Sequence, residues 1–119
     1  MLIRKDQLQV FEKSVRADLE RRTLEHVSKF FPSEISALGA DAARKLVHDG
    51  IGRAQALQFL TEGNIYKFVD LLVVLDGDFD TRFEWARNIL AEGDSSDADS
   101  KMRRLMSAAD EQLRGKHHG

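Results

Sequence analysis

The chain has 119 residues, 42% hydrophobic and 32% charged, with one proline, no cysteine and a net charge of −2. That size and balance describe one soluble helical domain, able to bury about two-thirds of its unfolded surface. Disulfides, thiolate metal sites and cysteine nucleophiles are excluded, and the mixed charge signs lack the basic stripe of a nucleic-acid binder.

Met1-Leu2-Ile3-Arg4-Lys5 passes directly into polar helix with no secretory pattern. The longest apolar run, 71–75, is far short of the ~20 residues that span a bilayer. A cytoplasmic location without membrane contact is therefore expected.

The first helix is predicted over 7–30, with Asp6 as N-cap and Gln9 completing a capping box. Leu8, Phe11, Val15, Leu19, Val27 and Phe31 form its apolar stripe. Pro32 disfavours helical geometry at Phe31 and should end the helix there. Residues 32–38 can form one short helical turn with proline first, stopped by Gly39. Asp41 is a candidate cap for the next helix, which turns Ala43, Leu46 and Val47 inward. Gly50 and Gly52 leave two readings open: they break this helix, or they permit close packing against a neighbour. Ala54, Leu57 and Phe59-Leu60 then resume the apolar pattern.

Thr61 is the expected N-cap of the central helix, 62–75. Asn64, Lys67 and Asp70 form its one polar edge, and beyond Asp70 it is apolar on every side, as a helix buried among others must be. Gly77 suits a left-handed stop. The acidic loop Asp76-Gly77-Asp78-Phe79-Asp80 leads through Thr81 to a short helix bearing Phe83, Ala86, Ile89 and Leu90. Residues 93–96 read as a linker. Ser96 or Asp97 then starts a last helix with the stripe Met102, Leu105, Met106, Ala109 and Leu113. The fold expected is all-α, a single-domain bundle of about five helices around 62–75. Residues 1–93 would form its core domain, and 94–119 an amphipathic helix and frayed tail packed on it.

Catalytic signals are weak. Asp76, Asp78 and Asp80 alternate as in a calcium loop, but the sixth position is Thr81 instead of glycine and the twelfth is Arg87 instead of glutamate. His26 and His48 have no metal-ligand spacing and read as surface or boundary residues. There is no GxSxG elbow or P-loop, and Gly50-x-Gly52 lacks the third glycine of a dinucleotide site. No enzyme activity, metal or cofactor is expected. His117-His118 can hold metal only adventitiously. Residues 41–60 can also be read as a helix-turn-helix, with Asp49-Gly50-Ile51-Gly52 as the turn and Gln55 and Gln58 facing bases, though Arg53 alone would meet phosphate. Met102 and Met106 could offer an adaptable ridge to a partner or to a second copy, making a homodimer.

Several pieces form a further pattern. They are Met1-Leu2-Ile3-Arg4-Lys5-Asp6-Gln7-Leu8-x-x-Phe11, Phe30-Phe31-Pro32 and Gly50-Ile51-x-Arg53-Ala54, then Tyr66-x-x-x-Asp70-Leu71, Leu75-x-x-Asp78-Phe79-Asp80 and Trp85-Ala86-x-x-Ile89-Leu90. This pattern resembles small helical bacterial proteins of unknown function encoded in type VI secretion and effector gene clusters. Residues 1–93 carry it. Thr81-Arg82-Phe83-Glu84 departs from it, where the family's loop usually has prolines. The resemblance implies a noncatalytic adaptor or chaperone that holds a secretion effector or loads it on the spike. Asp76, Asp78, Phe79, Asp80 and Trp85 are then the expected contact residues, joined by Met102 and Met106. The alternatives are an effector-neutralising immunity protein and the DNA-binding regulator. Phe79 and Trp85 have a structural reading too, as a plug for the end of the bundle.

Overall fold

The computed structural model describes residues 5–75, 77–92 and 97–117, with side chains over 14–75, 77–92 and 97–115. The chain runs α1 Lys5–Phe30, α2 Pro32–Leu38, α3 Ala40–Ala56, α4 Glu62–Val74, α5 Phe79–Arg82, α6 Glu84–Leu90 and α7 Ala98–His117. All described secondary structure is helical, so the all-α expectation holds.

α4 is the spine. Ile65, Phe68, Val69, Leu71 and Leu72 are buried along it, and Leu75 is buried at its C-cap. α1, α3 and α7 pack around it. The helix starts where expected, because Thr61 Oγ1 accepts the Asn64 amide at 3.3 Å. The expected polar edge is not a wet face. Asn64 is 4% exposed and donates to Asp99 of α7 at 2.7 Å, while Asp70 is half-buried against α1. Only Lys67 of the three is exposed.

α1 stops as predicted, with Phe31 outside helical geometry at φ −131° and ψ 55°. It already includes Asp6, so Asp6 is no N-cap. Its apolar stripe reaches the core through Leu19, Val27 and Phe31, but Val15 is 48% exposed. Leu8 and Phe11 lie outside the described side chains. Thr23 is fully buried instead, its hydroxyl donating back to the Leu19 carbonyl at 2.7 Å, which satisfies the polar atom without solvent.

Asp41 does not cap α3. Gly39 occupies the N-cap at φ 88° and ψ 160°, a region essentially open only to a residue without Cβ. It joins α2 to α3 directly, donating to Ile35 O at 3.1 Å and accepting from Ala43 N at 2.9 Å. Among the described glycines, the positive φ belongs here and not at Gly77.

α3 runs unbroken through Gly50 and Gly52. Of the two readings left open, close packing is the one realised. A Cβ on Gly50 would stand 2.7 Å from Leu72 Cδ1 and 3.3 Å from Val69 Cγ2, so the missing side chain is what lets α3 lie against α4. α3 ends in a Schellman turn. Phe59 N donates to Ala54 O at 2.9 Å and Gln58 N to Gln55 O at 3.0 Å, with Gln58 left-handed at φ 72°. Phe59, fully buried, follows as the apolar member of that motif.

The linker at 93–96 lies outside the described residues. Asp97 caps α7, its carboxylate accepting the Asp99 amide at 3.0 Å. Met102, Leu105 and Ala109 enter the same core as α4.

Candidate functional site

The expected contact residues divide on burial. Asp76 lies outside the described residues. Phe79 is fully buried in a run of rings: its centroid is 5.2 Å from Phe68 and 6.5 Å from Trp85, and Trp85 stacks on Phe83 at 5.5 Å. Phe79 is therefore a core residue and no surface contact. The plug reading describes its place, with Trp85 half-buried over it. The indole Nε1 is buried without a hydrogen-bond partner among the described residues. Asp80 does not project an acidic charge either. Its side chain is 9% exposed and ion-paired with Arg53 of α3, whose other terminal nitrogen donates to Gly77 O at 2.5 Å. Met102 is 1% exposed, so it fills the core, whereas Met106 is 37% exposed. Of the described candidates, Asp78 and Met106 present an exposed side chain. Phe79 and Trp85 turn inward from the short helices α5 and α6, Met102 turns inward from α7, and Asp80 is taken up by Arg53.

The residues of the helix-turn-helix reading are also accounted for. The turn at 49–52 is helical. Gln55 is bound by Arg16 Nη1 at 3.0 Å, and Gln58 is the left-handed residue of the Schellman turn. The same Arg16 donates to His48 O at 2.8 Å and pairs with Glu20 at 3.2 Å. Glu20 in turn bonds the His48 ring. This lacing holds α1 against α3.

A second lacing joins α1 to α4. Arg22 donates to Glu62 at 3.0 Å, and the Tyr66 hydroxyl donates to the other oxygen of Glu62. His26 Nε2 donates to Asp70, 2.9 Å from one carboxylate oxygen and 3.1 Å from the other. The imidazole stacks on Tyr66 with centroids 4.6 Å apart and meets Phe30 at 4.9 Å. Burial, with Glu62 accepting the phenolic proton, pushes Tyr66 up to about 12. Burial also raises Asp70, partly offset by His26. Reading His26 as a boundary residue missed its partner. The signal was present, since Arg22 and His26 on α1 match Glu62, Tyr66 and Asp70 on α4 at the same four-residue period.

The seam ends on Phe30, 60% exposed at the last residue of α1, with Lys29 over its ring at 5.5 Å. Chemically the seam is an orienting device, with the imidazole and carboxylate committed to each other. Among the described residues, no group of three or more His, Cys, Asp or Glu side chains could hold a metal ion. No described helix is long and apolar enough to cross a membrane. No protein-family model matches the chain, no curated protein is found to be similar to it, and no solved structure matches its fold.

Proposed function

We propose that the chain is a noncatalytic protein-binding accessory factor, an adaptor or chaperone, working in the cytoplasm on a type VI secretion effector or spike protein. The secretion context comes from the family resemblance. The observation that supports protein binding is Phe30, an aromatic side chain 60% exposed yet braced by the His26 ring on a rigid helix. A pre-oriented aromatic costs little entropy to bury and is the usual anchor of a binding hot spot. The contact therefore moves from the acidic loop to the C-terminal end of α1, where Lys29 supplies charge beside it.

The test is co-expression with the effector and spike proteins encoded beside this chain, followed by affinity measurement with any that co-purify. Phe30→Asp should weaken binding about tenfold or more while the helical melting curve is unchanged. Unaltered affinity removes Phe30 from the interface. Absence of a complex with all of these neighbours refutes the adaptor reading. Relief of effector toxicity without improved secretion would reassign the chain as an immunity protein.

A further inference from the structure

One side of α3 stays uncovered. Ala42, Lys45, Asp49, Gly52 and Ala56 follow one another at three and four residues, so they share a face of the helix. That face lies opposite the buried Ala43, Val47, Gly50, Ile51 and Ala54. Gly52 is half-buried on it and the other four are exposed. Hollows of about 480 and 240 Å³ flank it, one toward Arg16 of α1 and one toward Leu72 and Gly77, and both reach Asp49 and Arg53. We infer that this face is a docking surface for α3 of a second copy of the chain, packed antiparallel across a two-fold axis as a weak homodimer.

Charge complementarity selects the occupant. Lys45 and Asp49 have no ion pair or hydrogen bond among the described residues. A cation followed by an anion four residues on is the weaker orientation within a helix, so they gain little from each other. The three–four spacing is that of an antiparallel helix seam. One register of that seam sets Lys45 opposite Asp49 of the other copy and, through the two-fold, Asp49 opposite Lys45. A foreign helix would have to carry the same two charges in reversed order, whereas a second copy presents them by symmetry. The remaining charges at the edges are already engaged: Arg16 by Glu20 and Gln55, Arg53 by Asp80, Asp41 by Arg44. Docking therefore strands none of them.

The same register sets Ala42 at the level of Gly52 of the other copy. Nothing within the chain requires glycine at position 52. A Cβ there meets Arg16 Nη2 at 3.7 Å, an ordinary contact, in contrast to the close approach at Gly50. Glycine costs stability in a helix interior, and its use is to let another backbone approach. Leu38, 42% exposed at the junction of α2 with α3, is carried toward Ala56 of the other copy.

The test is sedimentation equilibrium on the full chain. One helix face lies at the small end of specific interfaces, so a monomer–dimer equilibrium with a dissociation constant of about 0.1 mM is expected. Lys45→Asp and Asp49→Lys should each weaken it about tenfold or more, since each brings like charges together. An equimolar mixture of those two variants should dimerise again, because the charges across the seam are then opposite at both contacts. Gly52→Leu should abolish the dimer while circular dichroism stays unchanged. If that variant fails to fold, the charge variants, at exposed positions, still decide. Phe30→Asp should leave the dimer intact, which separates this surface from the effector contact proposed above. A chain that stays monomeric up to about 1 mM overturns the proposal. So does a dimer indifferent to the α3 variants, a mixture of the two charge variants that stays monomeric, or a dimer lost in Phe30→Asp.

Discussion

Gly50 and Gly52 stand two residues apart in one helix, yet alanine should act oppositely at the two. In an exposed helix interior, Gly→Ala gains about 1 kcal/mol from propensity alone. At Gly52 the new Cβ would find Arg16 Nη2 at 3.7 Å, an ordinary contact. That gain should survive, raising stability by about 0.5–1 kcal/mol. At Gly50 the new Cβ would lie 2.7 Å from Leu72 Cδ1 and 3.3 Å from Val69 Cγ2. Leu72 is 2% exposed and Val69 fully buried, so the leucine cannot rotate away without displacing packed neighbours, and the valine is stiff at χ1. Overpacking of this kind costs about 1–3 kcal/mol, which outweighs the propensity gain. Gly50→Ala should therefore destabilise by about 1–2 kcal/mol, leaving the two variants about 1.5–3 kcal/mol apart. Urea denaturation followed by circular dichroism measures the difference, with unchanged m-values establishing that only stability moved. Equal responses at the two glycines, or a Gly50→Ala variant as stable as the parent, would refute the claim that contact with α4 fixes the residue at position 50.

Gln58→Gly should stabilise the chain by about 0.5–1 kcal/mol in thermal melts, because the left-handed conformation at φ 72° strains any residue with a Cβ; Gln58→Ala should show no such gain. Arg53→Met should cost about 2 kcal/mol by stranding the Asp80 carboxylate, and adding Asp80→Asn should recover most of that loss in a double-mutant cycle. Tyr66 is the one tyrosine of the chain, so an absorbance titration reads it directly: ionisation should centre near 12 instead of 10.0, and Glu62→Gln should shift it down. Since the folded value lies above the unfolded one, the stability linked to the neutral phenol is fully present below pH 10 and is lost as pH rises through 12.

The spine was legible because its signal is local. Thr61 followed by an apolar helix needs no knowledge of the rest of the chain, and Pro32 ends α1 through its own ring. Gly50 was ambiguous for the opposite reason. Whether a glycine breaks a helix or admits a neighbour depends on Val69 and Leu72, which are remote in sequence. The acidic loop misled by its composition. Alternating aspartates suggest a charged tip, but Arg53 neutralises Asp80 from 27 residues away, and Phe79 between them turns inward. The His26 and Asp70 pair, 44 residues apart, was equally invisible to a reading made one helix at a time.

The parallel course of α1 and α4 has a consequence for synthesis. α3 and α4 are antiparallel neighbours joined by a short turn, so they can close on each other as soon as both have emerged from the ribosome. α1 precedes both, and although Arg16 and Glu20 can already engage α3, His26 and Arg22 wait for partners on α4 some 40 residues further on. In that interval the side of α1 that faces α4 lacks its partner. The seam between α1 and α4 is thus completed only once Asp70 is translated.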